Sequence, residues 1–211
     1  MLFCVLPDSN SQNSYRQELR ERILATAMNE FYTKGIKAVK MDDIAKRLSI
    51  SKRTLYEIYQ NKEELLLEGM KAAEAEFDAH MKAFSFQQSN NVMDILIEFY
   101  HYQVTKFAKI TPAYYEDLHK YSLITEYLHS KQSERDKNAS LFIKKGIQEG
   151  FFRADINYSI VTQIARESVH YAMMNQLYKE HSIQVVFSNI ILLFIRGICT
   201  LKGLQRLEDL S

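Results

Sequence analysis

An all-helical fold is what this sequence predicts, on three observations: few breakers, helix-period apolar stripes, and no sustained strand alternation. In 211 residues there are 2 Pro and 6 Gly, too few to punctuate a sheet of many tight turns. Apolar residues recur at four-residue spacing along Leu19, Ile23, Ala27 and Phe31, the repeat of one helix face. No stretch alternates apolar and polar residues between turn clusters in the manner of a strand. With 46% hydrophobic residues, the chain can bury a core, either as one large domain or as a small domain joined to a larger one.

The opening residues 1–7 are apolar for only about five positions and lack a basic start, which is too short for a secretory signal. Residues 1–14 are therefore expected to form a disordered N-terminal arm. Cys4 and Cys199 stand at opposite ends of the chain without metal-type spacing, a usage that suits a reducing compartment. The most apolar stretch, residues 185–201, is interrupted by Ser188, Asn189, Arg196 and Gly197, whereas a spanning helix needs ~20 mostly apolar residues. A cytoplasmic protein with no membrane segment is the expectation.

The elements follow in order. A first helix over residues 14–34 gathers Leu19, Ile23, Leu24, Ala27, Met28 and Phe31 on one face, and Gly35 is free to take the left-handed conformation that ends it. A two-turn helix over 41–48 turns Ile44, Ala45 and Leu48 inward, with Asp42 and Asp43 in its first turn, where the helix dipole favours anions. Ser49-Ile50-Ser51 makes a three-residue turn. Ser51 can cap the next helix, residues 52–59, which points Leu55, Ile58 and Tyr59 inward. Two short helices that cross steeply need a small residue at the crossing, and Ala45 is placed there. This is a helix-turn-helix, whose second helix can enter a DNA major groove.

Charge agrees with that reading. The formal net charge is +1 overall, yet between residues 31 and 56 seven cations (Lys34, Lys37, Lys40, Lys46, Arg47, Lys52, Arg53) face only Asp42 and Asp43, a local +5. The rest of the chain sums to −4. A basic patch confined to one segment is the footprint of phosphate binding.

The run from Gly35 to Leu65, and above all Ser51-Lys52-Arg53-Thr54-Leu55-Tyr56 followed by Tyr59 and Lys62-Glu63-Glu64-Leu65, resembles the DNA-binding domain of the tetracycline-repressor (TetR) family. A fainter resemblance lies in Gly150-Phe151-Phe152-Arg153-Ala154-Asp155, similar to the junction that many members carry before their dimerisation helices. The resemblance implies a homodimeric transcription regulator, most often a repressor, with a C-terminal domain that senses a small molecule. Four positions depart from the family pattern. Ser49 stands where glycine is common, Lys40 stands where Ser or Thr often begins the second helix, and Glu57 and Ile58 replace His or aromatic residues. Lys40, Ser51, Lys52, Arg53, Thr54, Tyr56 and Lys62 are the expected DNA-binding residues. Arg53 is assigned to a guanine edge, since its planar fork suits O6 and N7. Lys52 and Lys62 are assigned to phosphates, which set register without reading sequence. Tyr59 is read as a plug between helices, and Glu57 as a solvent-facing salt-bridge partner.

Beyond residue 62 a helical effector-binding and dimerisation domain is expected over 63–211, with the helix-turn-helix domain over 15–62. Its helices are placed at about residues 62–84, 92–109, 113–120, 121–149, 157–180 and 183–207, with errors of ~2–4 residues. The stripe Ala165, Ser168 and Ala172 and the nearly all-apolar helix that follows suggest a dimer face. Two-fold pairing would set the recognition helices ~34–36 Å apart on a palindromic operator in double-stranded DNA. Phe99, Tyr102, His119, Arg166, His170, Met173 and Met174 are the candidate effector-binding residues, with Arg166, Glu167 and His170 expected inside a largely enclosed helix. One rival reading is enzymatic. Glu98/His101, Glu116/His119, Glu126/His129 and Glu167/His170 have the Glu-x-x-His spacing of di-iron carboxylate bundles. Against it, Asp94, Glu98, His101, Thr105 and Lys109 form one polar, solvated stripe. No nucleophile constellation, phosphate loop or metal cluster accompanies them, so no enzyme activity, metal or cofactor is expected.

Overall fold

The computed structural model describes residues 9–87 and 90–208, with side chains from Ser14 onward. Ten α-helices follow one another: α1 (Ser9–Lys34), α2 (Met41–Arg47), α3 (Lys52–Ile58), α4 (Lys62–Ser85), α5 (Val92–Phe107), α6 (Pro112–Leu118), α7 (Ser122–Gln148), α8 (Tyr158–Met174), α9 (Ile183–Ile198) and α10 (Leu201–Glu208). A 3₁₀ turn, Leu177–Lys179, joins α8 to α9. Among the described residues the only β pairing is an isolated bridge between Phe152 and Cys199. No described helix is long and apolar enough to cross a membrane.

Local chemistry sets the boundaries. Asn61, Asn91, Asn157 and Ser182 each accept a backbone N–H from the first turn of the helix they precede, satisfying donors that a helix start leaves unpaired. Pro112 occupies the first turn of α6, where its missing N–H costs nothing. Gly35 ends α1 at φ 85°, with its N–H donated to Phe31 O at 2.9 Å.

Two expectations are corrected at the ends. α1 begins at Ser9, so residues 9–14 are helical, while Cys4 and residues 1–8 of the expected arm lie outside the described residues. The last helix is not continuous over 183–207. Cys199 adopts an extended conformation, Thr200 N–H bonds Phe151 O at 2.9 Å, and Arg153 N–H bonds Ile198 O at 2.9 Å. The chain between α7 and α8 thus clasps the break, and the Thr200 hydroxyl accepts Gly203 N–H at 3.2 Å to start α10. The 157–180 helix likewise stops at Met174, because Gln176 turns left-handed at φ 54°.

Two buried clusters hold the chain together. The first takes the predicted α1 stripe with Ile44, Ala45, Leu55, Tyr59, Leu65 and Leu66, and continues into Ile110, Tyr114 and Ile124. The reading domain and α6–α7 therefore share one core. The second joins Val92, Met93 and Ile97 to Phe151, Phe152, Ile195, Cys199 and Leu207 at the far end.

Candidate nucleic-acid interface

The reading head is built on buried apolar residues. Ile44 and Leu55 are fully buried, and Ala45 at 1% exposure lets α2 and α3 cross closely. Leu48, Ile50 and Ile58 pack against this centre. Between the helices, Ser49 N–H bonds Lys46 O at 3.1 Å and Ile50 N–H bonds Ala45 O at 3.0 Å. That pattern is a Schellman turn with Ser49 at its left-handed position, φ 55°, where glycine is the usual residue. The Ser51 hydroxyl then accepts Thr54 N–H at 3.0 Å and lies 2.8 Å from the Thr54 hydroxyl, so α3 starts as its sequence predicts.

This scaffold leaves Ser51, Lys52, Arg53 and Tyr56 exposed and Thr54 half-exposed on one helix, with Lys40 exposed at the start of α2. The cations of α3 are paired rather than bare. Lys52 contacts the Asp42 carboxylate, and Arg53 Nε donates to Glu57 Oε1 at 2.8 Å. Each hydrogen bond holds its cation's pKa above the ordinary value. Behind them Glu30, 4% exposed, binds Lys34 and, at 2.7 Å, Arg47. The +5 window stopped one residue short of a carboxylate at either end. Counted from residue 30 to 57, seven cations meet four acids, a net +3. Among the described residues the ammonium groups of Lys37, Lys40 and Lys46 have no carboxylate partner.

Tyr59 is a plug, as its sequence position suggests. It is 2% exposed, its hydroxyl donates to Glu68 Oε1 at 2.9 Å, and the Arg20 guanidinium lies 4.9 Å over its ring. Arg20 also donates to Glu68, so α1, α3 and α4 are tied at one point.

Lys62 differs from the expectation. Its ammonium donates to Ile36 O at 2.8 Å and Val39 O at 3.0 Å, and burial pushes its pKa down. Two of its three donors are consumed inside the protein, which holds the side chain against the loop between α1 and α2. Sequence spacing could not reveal this, because the acceptors are main-chain carbonyls 23 and 26 residues away. The neighbouring Asp117 was also not singled out. It is 5% exposed, accepts Lys37 N–H at 2.7 Å and binds Lys120 at 2.7 Å. Burial alone would raise its carboxyl, but these two bonds outweigh burial and hold it below the usual range.

The expected effector residues fall into separate places. Phe99 and Tyr102 lie half-buried against Phe77, at ring distances of 6.0 and 5.0 Å. His119 and His170 meet edge-on at 6.0 Å, both exposed. Arg166 reaches Asp136 at 3.4 Å. Met173 is half-buried, and Met174 is 67% exposed. The enclosed setting expected for Arg166, Glu167 and His170 is corrected: in this single chain all three are exposed. α8 packs on α9 and, among its side chains, only Ala172 is buried. A more enclosed aromatic group lies elsewhere, with Phe107 stacked on Phe187 at 3.8 Å and Tyr115 5.6 Å from Phe187. The Thr111, Tyr115 and Tyr178 hydroxyls are buried without a partner among the described residues. Of the four Glu-x-x-His pairs, two bring their histidines, His119 and His170, together, but the four do not meet at one site. Glu98 bonds His80 at 2.6 Å instead, and no three His, Cys, Asp or Glu gather as a metal site among the described residues.

A helix-turn-helix carried on a larger helical domain is an arrangement used by DNA-binding regulators. Residues 23–68 match the profile of bacterial regulatory proteins of the tetR family. No protein with a curated description matches the chain. Among solved structures, a transcriptional regulator from Saccharomonospora viridis in complex with choline superposes with a TM-score of 0.69 at 17% identity, covering 87% of this chain and 99% of that one. A TetR-family regulator from Agrobacterium tumefaciens gives 0.69 at 14%, covering 88% and 100%. A ketosteroid transcriptional regulator of Mycobacterium tuberculosis gives 0.58 at 19%, covering 86% and 95%. Residues 23–68 thus carry the tetR-family profile, and the structural likeness shows a shared fold over most of the chain.

Proposed function

We propose that this regulator acts as a homodimer on a palindromic operator and is released by a small, largely apolar effector. The observation that carries the DNA half is the row Ser51, Lys52, Arg53, Thr54 and Tyr56, exposed or half-exposed on a helix whose opposite face holds the buried Leu55 and the half-buried Ile58. Arg53 serves as base reader through its free Nη groups. Lys52, Tyr56, Lys40 and the Ser51 N–H hold phosphates, which fix register. Lys62 has no place in this set.

A second copy is supported by the outer face of α8 and α9. Ile160, Ile164, Tyr171 and Met174 on α8, and Val185 and Leu193 on α9, are each at least 48% exposed. So many large apolar side chains on adjacent helices mark a surface that pairs. An effector is supported by the Phe107, Tyr115 and Phe187 group together with buried hydroxyls lacking partners, since ligand sites are mostly apolar with a few polar groups. Phe99 and Tyr102 form a separate aromatic group with Phe77 of α4. The Saccharomonospora viridis regulator holds choline, so a fold of this type admits a small organic molecule.

Selection of bound fragments from a random DNA pool, followed by sedimentation of the complex, tests the reading. An inverted repeat with half-sites about 10 base pairs apart, bound by two chains, is the expected result. Recovery of no motif would overturn it.

A further inference from the structure

We propose that Glu57 positions Arg53 for base reading and that, with Asp42, it holds the cations of α3 back from indiscriminate phosphate contact. The inference rests on the DNA-binding reading above and names the residues that set its selectivity.

Glu57 is costly where it stands. It occupies the last turn of α3, where the helix dipole disfavours an anion, and it lies on the exposed face proposed to approach polyanionic DNA. It adds little to the core, since its side chain is 57% exposed. Exposed ion pairs add little to stability, so folding does not explain its placement. The end of α3 already has a cation of its own, because Arg16 of α1 reaches the Glu57 carbonyl at 3.4 Å.

The geometry supplies a reason. Glu57 takes the Nε edge of Arg53 at 2.8 Å. The two Nη groups at the outer end of the guanidinium stay open, and they are the donors that match guanine O6 and N7. A long side chain that would otherwise sample many rotamers is pre-oriented for one contact. Asp42 acts on the neighbouring cation by holding Lys52 across the two helices. On random duplex, a phosphate would have to displace Asp42 to gain Lys52 and would meet an Arg53 whose charge Glu57 already partly neutralises. On the operator, Arg53 keeps Glu57 while it reads its base, so the cost falls mainly on the wrong sequence. The pairing therefore widens the ratio between specific and non-specific binding.

The test uses the full chain, the operator obtained by selection, and the variants Arg53→Ala, Glu57→Gln, Asp42→Asn and the Arg53/Glu57 double. Glu57→Gln and Arg53→Ala are expected to flatten preference at the same base pair, with the double variant no worse there than Arg53→Ala. Glu57→Gln and Asp42→Asn should each bind random DNA more tightly and steepen the salt slope by ~0.9, about 3.5-fold more change between 50 and 200 mM salt. If Glu57→Gln altered preference at a different base pair, Glu57 would itself be a reader and the positioning role would be overturned. Unchanged base preference and unchanged random-DNA affinity would overturn it equally. Failure of the unsubstituted chain to select any motif would remove the DNA-binding reading itself, a separate result.

Discussion

Replacing Lys62 with Met separates two roles for one cation. Met keeps most of the aliphatic stem and removes the ammonium, so the bonds to Ile36 O and Val39 O disappear with little change in packing. A hydrogen bond from a charged donor contributes ~1.5–3 kcal/mol, and water can reach part of this half-buried site and recover some of the loss. The sum is a destabilisation of roughly 2–4 kcal/mol, well short of the ~5–15 kcal/mol that holds a domain folded. Urea unfolding at fixed protein concentration reads it directly. With a slope of about 2–3 kcal/mol/M the midpoint should fall by roughly 1 M or more. Salt dependence of DNA binding, measured on the same preparation below its unfolding transition, should keep its slope. The opposite pair of results, an unmoved midpoint with a slope shallower by ~0.9, would mean that Lys62 serves a phosphate and does not hold the loop between α1 and α2.

Ser49→Gly should stabilise the chain by roughly 0.5–1 kcal/mol. It relieves a left-handed cost of ~1–2 kcal/mol against ~0.5–1 kcal/mol of extra freedom in the unfolded state. Calorimetry should show a melting temperature about 1–4 °C higher, and a fall would refute the strain at φ 55°. Asp117 has a folded pKa below its unfolded one. Its contribution is therefore complete above the unfolded pKa near 4 and is lost as pH drops through the folded value. Asp117→Asn should cost ~1–3 kcal/mol at neutral pH, with the gap to the parent closing toward pH 3; a constant gap would contradict the assignment. Leu193→Lys places a charge on a residue 70% exposed in the single chain, and sedimentation should then show monomers where the parent shows dimers. Burial pushes the Cys199 thiol up to about 11, so peptide-level mapping should find it alkylated only after unfolding.

The reading head was legible because its rules are local. Helical spacing set the α1 stripe, a serine capped α3, and the family resemblance marked Ser49 as a place where glycine is common. What escaped depended on distant partners. Glu30 lies just outside the basic segment, and only the fold shows that it binds Arg47, whereas Glu57 is the salt-bridge partner its position implied. The break at Cys199–Thr200 has neither Gly nor Pro to mark it. It exists because a strand-like pair of hydrogen bonds comes from residues 151 and 153. For α8, an apolar and small-residue pattern indicated burial, yet a single chain leaves much of that helix open. Periodicity tells which residues share a face, not whether the same chain or another covers it.

The core shared between the reading head and α6 bears on how such a regulator can be taken apart. Severed after α4, the N-terminal fragment would lose the cover of Ile110, Tyr114 and Ile124 and the acceptor for Lys37 N–H. Gly35, too, is shaped by that neighbour, since a methyl group there would sit 2.8 Å from Ala113 Cβ. A chimera that grafts this head onto a foreign sensing half would therefore have to bring α6 with it, or redesign the seam where α6 docks.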